Sequence, residues 1–501
     1  MASWSCFCPR TGGNITGAPP KFLKFRSSKA FVVGVVTVAV FTDIFLYGVI
    51  VPVTPTALEE RVGLRPEDRQ KWVSILLALY GAALLTSSPI FGYMADKTAS
   101  RQWPLILGLV ALGASTGLLC AGTTIGLWIA GRIFQGLSAA MVWTVGLALL
   151  VDTVGKDEIG SAMGFIGMGV SAGTMLGPLL GGVIYQRGGY YSVFAVAFAL
   201  IGVDIVLRLV MIEKKDARKW LSAAEEPASS EEESTHQSTE DKGPCAESYA
   251  PTSTPENSAE TPCEPPQESV TRRRLPSTLV LLSNRRMLFV LYAYLAISIL
   301  MTSFDSVLPL FVQATFGWEQ IGQGLAFTPL FIPHFFEPLI GRTIDRYKSS
   351  PRFLAAGAFF FSTPVYVLLR FVTHNSMGQK VLLCALLALI GTSVSTALPS
   401  LMTEVSYIIN HIEEKSPNAF GPGGAMAQGY GIFNSAFAAG SLVGPVWAGF
   451  VRNQHGWGTM AWTLGLLSGV TSIPVLLTMG GWIGNLKKKP GTQENRPVDS
   501  V

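Results

Sequence analysis

The feature that most constrains this chain is a set of twelve apolar runs, each about as long as a bilayer is thick. Some 30 Å of hydrocarbon takes roughly 20 helical residues to cross. The runs lie near 31–53, 72–94, 103–121, 125–150, 162–185 and 191–212 in the first half. In the second half they lie near 287–312, 322–341, 353–372, 381–402, 428–450 and 459–483. The fifth sits in a stretch with no charge from Ser161 to Gln186. Inside hydrocarbon the backbone must satisfy its own N–H and C=O groups, so runs of this kind are helices. The expected fold class is an all-α polytopic membrane protein.

Composition agrees. Only 14% of the 501 residues are charged, against about 25% in soluble domains, and the mean hydropathy is +0.39. A formal charge of +4 is too small to suggest nucleic acid. The tail 1–30 is polar and basic, and the first apolar run is too long for a cleaved signal, so none is expected. The six cysteines show no metal spacing, so reduced thiols are expected, with no metal and no cofactor.

Residues 213–286 have another character. From Glu225 to Glu268 the chain is rich in Ser, Thr, Glu and Pro and nearly devoid of large apolar residues, which predicts a disordered linker. Its basic ends, Lys214-Lys215 and Arg272-Arg273-Arg274, suit anionic headgroups. With the N-terminus inside, 27 of the 37 Lys and Arg fall on the cytoplasmic side. The tails 1–30 and 484–501 and the linker are therefore expected there.

The chain also repeats. Gly173-Thr-Met-Leu-Gly177-Pro178-Leu-Leu-Gly181-Gly182 returns as Gly440-Ser-Leu-Val-Gly444-Pro445, an offset of 267. Gly92-Tyr-Met-Ala-Asp96-Lys97, after the second run, returns as Gly341-Arg-Thr-Ile-Asp345-Arg346 after the eighth, an offset of 249. Glycines four apart bare one helical face for close packing, and the proline beside them removes a backbone donor. Six runs plus six with matching loops describe two pseudo-symmetric bundles, 31–212 and 287–483, around a central cavity.

These residues resemble the major facilitator superfamily over nearly all of 31–483. Gly92-x-x-x-Asp96-Lys97-x-x-x-Arg101 is similar to its loop motif between spans 2 and 3, although Ala99 and Ser100 replace a usual glycine and base. Gly131-Arg132-Ile-Phe-Gln135-Gly136 resembles its span 4 motif, and the fifth run resembles a motif of its proton-coupled antiporters. Within the family the chain looks like the drug:proton antiporter and vesicular amine transporter branch. Asp43 in Phe41-Thr-Asp-Ile-Phe-Leu-Tyr-Gly matches that branch's span 1 acid, and Asp305 in Phe304-Asp-Ser-Val-Leu-Pro its span 7 acid. Val394 and Asn434 stand where amine carriers have acids in spans 10 and 11, so monoamine specificity and proton stoichiometry do not carry over. The long acidic linker looks more like fungal exporters of drugs or secondary metabolites.

A charge in the bilayer is costly, so intramembrane carboxylates are functional candidates by default. Asp43, near the midplane, is expected to take up a proton in one facing state and release it in the other. Asp305 is expected to face the same cavity and bind a cationic group or a second proton. Arg132, which the resemblance places in the coupling machinery, needs a carboxylate or several carbonyls. Gly92, Asp96, Arg101, Gly341, Asp345 and Arg346 read as a gate of charge-assisted bonds that break as the bundles rock. Asp204 and Arg208, i and i+4, neutralise each other. His334 with Glu337 suits a proton relay, and Arg370 snorkels. Tyr47, Trp143 and Phe304 are candidate cavity residues.

Gly169-Val-Ser171-Ala-Gly173 matches a nucleophile elbow, but it lies inside a membrane helix and no histidine lies in the first six runs, so no enzyme is expected. No phosphate-binding Gly-x-x-x-x-Gly-Lys-Ser/Thr occurs, so an ion gradient should drive the cycle. The expected function is proton-coupled export of hydrophobic or cationic small molecules by a monomer in the plasma membrane, or in a vacuolar or vesicular one. The expected partners are the substrate, protons and the bilayer. Proton-coupled uptake and a transporter-like sensor signalling through the linker are the alternatives.

Overall fold

The computed structural model describes residues 22–213 and 276–481, except 51, 52, 99, 156, 319, 417, 418 and 421–423, together with Ala217 and Trp220. The expectations for the linker and for both tails therefore fall almost wholly outside the described residues. The chain divides into two units. Residues 1–23 and 215–275 form one, and residues 24–214 and 276–501 form the other, which holds every helix discussed below.

Among the described residues, nine helices are long and apolar enough to cross a membrane, and two of these are double. The helix Ile159–Val210 turns at Gly189, where φ is 75°, and Met426–Thr478 turns at Gly456, where φ is 83°. Only glycine adopts such backbone angles without strain, so each site breaks one 52- or 53-residue helix into two membrane crossings. The two glycines are themselves related by the offset of 267. The helices are then α1 (Lys29–Ile50), α2 (Pro66–Lys97), α3 (Gln102–Cys120), α4 (Ile125–Val154), α5 (159–188), α6 (190–210) and α7 (Arg285–Phe316). After the broken segment α8 (320–346) come α9 (Ser350–Leu368), α10 (Met377–Lys415), α11 (426–455) and α12 (457–478).

Span eight departs from the expected continuous helix over 322–341. It consists of Gln320–Leu325, Thr328–Phe331, a 3-10 stretch Ile332–Phe336 and a final helix Glu337–Arg346. Pro329, Pro333 and Pro338 each lack a backbone donor and clash with the preceding turn, so one unbroken α-helix cannot form.

Glycine contacts decide the packing. A Cβ on Gly173 would meet Phe41 O and Ile44 Cβ at 3.0 Å, one on Gly177 would meet Phe45 O at 2.9 Å, and one on Gly181 would meet Val49 O at 2.5 Å. This stripe is thus the seat of α1 on α5. Gly440 and Gly444 do the same for α7, where a Cβ on each would meet Leu295 O and Ile299 O at 2.6 and 2.9 Å. Gly182 is the exception in the motif, with open space around it. The outer surface is apolar: Trp103, Phe360 and Val446 are each more than 70% exposed, as lipid-facing side chains are.

Candidate functional site

Asp43 is fully buried on α1, between the glycine contacts of Phe41 and Ile44. Trp143 Nε1, from α4, donates to its Oδ2 at 3.1 Å, while Oδ1 has no hydrogen-bond partner among the described residues. One turn along α1, the Tyr47 ring lies 4.7 Å from that of Tyr80 on α2, and the Arg132 guanidinium stands 5.8 Å from it. Arg132 is buried and donates to Gln135 Oε1 at 3.0 Å. Of the carboxylate or several carbonyls expected as its partners, no carboxylate is within hydrogen-bonding reach among the described residues, and the Tyr47 face and Gln135 Oε1 serve instead.

Asp305, on α7, is exposed although it lies mid-helix, while Phe304 beside it is fully buried and stacks on Tyr366 at 5.9 Å. Phe304 is therefore a core residue and not the cavity residue the sequence suggested. Asp305 acts electrostatically on Tyr47, as does Arg132. Asp43, Tyr47, Tyr80, Trp143, Arg132 and Asp305 are thus linked into one polar centre. Asp204 acts on Asp43 from α6, and Arg208 Nε lies 3.7 Å from Asp204 Oδ1, both residues fully buried.

The loop motifs come together in a way the sequence did not reveal. The first turns of α5 and α11 have no side-chain cap of their own. Each is capped by the opposite bundle. Gly160 N and Ser161 N donate to the two Asp345 oxygens at 2.7 and 2.8 Å. Ala427 N and Gln428 N donate to the two Asp96 oxygens at 3.0 and 2.9 Å. Each carboxylate thereby satisfies orphan backbone donors and meets the positive end of a helix dipole. Arg101 joins this cap, lying 3.0 Å from Asp96 and 3.3 Å from Asp152.

Gly92 and Gly341 make the approach possible, since a Cβ on either would strike the backbone oxygen of Ala427 or Gly160. Arg346 takes no part: it is exposed and lies over the Tyr347 ring at 5.7 Å. Arg370 is exposed, as snorkelling requires.

Two features escaped the sequence reading. Gly160, Gly164 and Gly431 form the close approaches between bundles, and their signal was present in the same two offsets. The second is the depth at which His334 and Glu337 sit. Both are fully buried, His334 in the 3-10 break of α8 and Glu337 at the start of the helix that follows, with Nδ1 2.5 Å from Oε1.

Two glycine-sutured helical halves, a buried polar centre and a closed end made of reciprocal helix caps define a multi-pass membrane transporter. The Major Facilitator Superfamily model matches residues 36–413, and the chain belongs to that family. An uncharacterized MFS-type transporter of Schizosaccharomyces pombe is 33% identical over 448 residues, covering 89% of this chain and 95% of that one. The MFS-type transporter ppzB of Metarhizium rileyi is 29% identical, covering 92% and 97%. A shorter match, 30% identical over 36% of this chain and 37% of the other, is to a probable vesicular acetylcholine transporter-B of Danio rerio. The human organic anion transporter MFSD10 (TETRAN) shares the fold, with a TM-score of 0.62 at 16% identity, covering 89% of this chain and 99% of that one.

Proposed function

We propose that the chain is a proton-coupled antiporter that exports hydrophobic or cationic small molecules, such as drugs, toxins or secondary metabolites, by alternating access. The observation that carries this reading is Asp43. It is a midplane carboxylate, fully buried, held by one indole N–H and with an oxygen free to take a proton. Asp305, exposed on α7 of the other bundle and acting electrostatically on Tyr47, suits a cationic group. Antiport follows when one carboxylate region binds either the proton or the cargo at a given time.

In this reading the capped end is the cytoplasmic gate, closed here, with Asp96, Arg101 and Asp345 as its bonds and Gly92 and Gly341 as its contact points. Both termini lie in the cytoplasm, as the distribution of Lys and Arg suggests. The bundles 31–212 and 287–483 rock about the polar centre, with 213–286 as tether. The protein acts as a monomer, in the plasma membrane or a vesicular one. The resemblance of the fifth span to antiporter motifs favours export over uptake.

The test is reconstitution into proteoliposomes with an imposed pH gradient and a panel of lipophilic organic cations. Accumulation that collapses with a protonophore is expected. Movement indifferent to the gradient would remove the proton coupling. Binding without movement would favour a sensor.

A further inference from the structure

The two interfaces that close the loop end match position by position. Gly160 against Gly341 has its counterpart in Ala427 against Gly92, and Gly164 against Glu337 in Gly431 against Ser88. Each follows the offsets of 267 and 249. One level deeper, the match holds in place and fails in chemistry. Between α2 and α11, Asn434 Nδ2 donates to Ser88 Oγ at 2.9 Å, one neutral group to another. The corresponding residues between α5 and α8 are Gly167 and Glu337. A Cβ on Gly167 would overlap Glu337 Oε2, so this glycine leaves the space that the carboxyl fills.

We propose that His334 and Glu337 form a proton-binding site at the α5–α8 interface, and that its occupancy decides whether this interface stays closed. The proposal rests on the proton-coupled reading above and adds to Asp43 a second site, in the other bundle. Nδ1 and Oε1 at 2.5 Å share one proton. Nε2 and Oε2 are buried and have no hydrogen-bond partner among the described residues.

With a second proton on Nε2 the pair is neutral. Without it the pair carries one negative charge, with Oε2 pressed against Gly167 and out of reach of water. A bare charge in that position is disfavoured unless the interface parts and water reaches the oxygen. Deprotonation therefore opens the interface, and the proton leaves to water at the capped end.

Among the described residues the surroundings offer no other route to neutrality. On α7 the Tyr294 phenol feels the Glu337 charge. From α5 the facing residues are Gly164 and Gly167, and from α10 Gly391 packs against Leu330 and Pro333, none of them titratable. The 3-10 break has a purpose in this arrangement, since it sets the imidazole and the carboxyl three residues apart on one face.

The test uses the full chain reconstituted in lipid nanodiscs, with the proton as probe. Infrared difference spectra between low and high pH should lose a protonated-carboxyl band that is absent from Glu337→Gln and kept in Asp43→Asn. On a background without native cysteines, nitroxides at Lys97→Cys and Arg342→Cys, both exposed, report how far α2 and α8 separate. Their distance should widen as pH rises in the starting protein and in Asp43→Asn, and stay fixed in Glu337→Gln.

His334→Gln, which removes the imidazole end of the shared proton, should move the midpoint of the widening. If the glutamine variant fails to fold, Gly167→Ala, whose methyl displaces the carboxyl without removing it, should keep the band but uncouple the widening from pH. A band that survives Glu337→Gln, or widening in that variant that still follows pH, overturns the site. Coupled flux that survives Asp43→Asn would overturn the role of Asp43 and leave this site standing, so the two readings fail separately.

Discussion

Asp43 is held by a single hydrogen bond where a carboxylate has room for several, and that economy suits a group that must change charge. In Asp43→Asn the amide oxygen can still accept from Trp143, so the helix packing should survive at a cost of about 1 kcal/mol or less. Gradient-driven flux should be lost because the amide cannot carry a proton. Wild-type flux from the reconstituted asparagine variant would remove Asp43 from the coupling step. The caps give a second prediction. Removing a capping side chain costs about 0.5–2 kcal/mol, and Asp345 caps α5 only when the loop end is closed. Asp345→Ala should therefore lower the closed-to-open ratio roughly 2- to 30-fold. Asp96→Ala should lower it more, because Arg101, 7% exposed, loses its nearest carboxylate. Thiol labelling at Ile344→Cys, a position fully buried against Gly160, reads the change; equal labelling in all three proteins would mean the caps do not hold this end shut.

Among the helices, α5 makes two glycine contacts of different kinds. Its Gly173–Gly181 stretch seats α1 within the same bundle, and its Gly160–Gly167 stretch meets α8 of the other. A valine at Gly177 would place its Cβ 2.9 Å from Phe45 O and 3.1 Å from Gly48 Cα, backbone atoms that cannot step aside. Overpacking of this kind costs about 1–3 kcal/mol, and the displaced helix is the one that carries Asp43. We expect Gly177→Val to express and insert but to transport poorly, and Gly444→Val to act likewise on α7, since its Cβ meets backbone Ile299 O at the same 2.9 Å. Gly182→Val, with nothing within 4 Å, is the control; a loss equal to that of Gly177→Val would sink the packing argument. Helix number and the glycine motifs were readable in the sequence because both are repeated patterns. The break in α8 was readable only in part. Its three prolines were visible, but apolar length outweighed them in placing a continuous span. The partners of Asp96 and Asp345 were not readable at all, since a cap on a distant helix leaves no local spacing to find.

At the scale of the whole molecule, the prediction concerns the tether. The stretch 225–268 has almost no large apolar side chain with which to dock, so deleting it should leave flux unchanged when the basic flanks are kept. A deletion variant that reaches the membrane but moves no cargo would show that the segment is more than a tether. The reciprocal caps have a consequence for how the protein is made. The α5 end waits for Asp345, 185 residues further along the chain, and Asp96 waits 331 residues for the end of α11. At about 5–20 residues per second the first wait lasts roughly 10–40 seconds. Through that interval the nascent first half sits in the bilayer with a bare helix end, and the ribosome has to pass span 8 before that end can be sealed and reach span 11 before Asp96 finds its own.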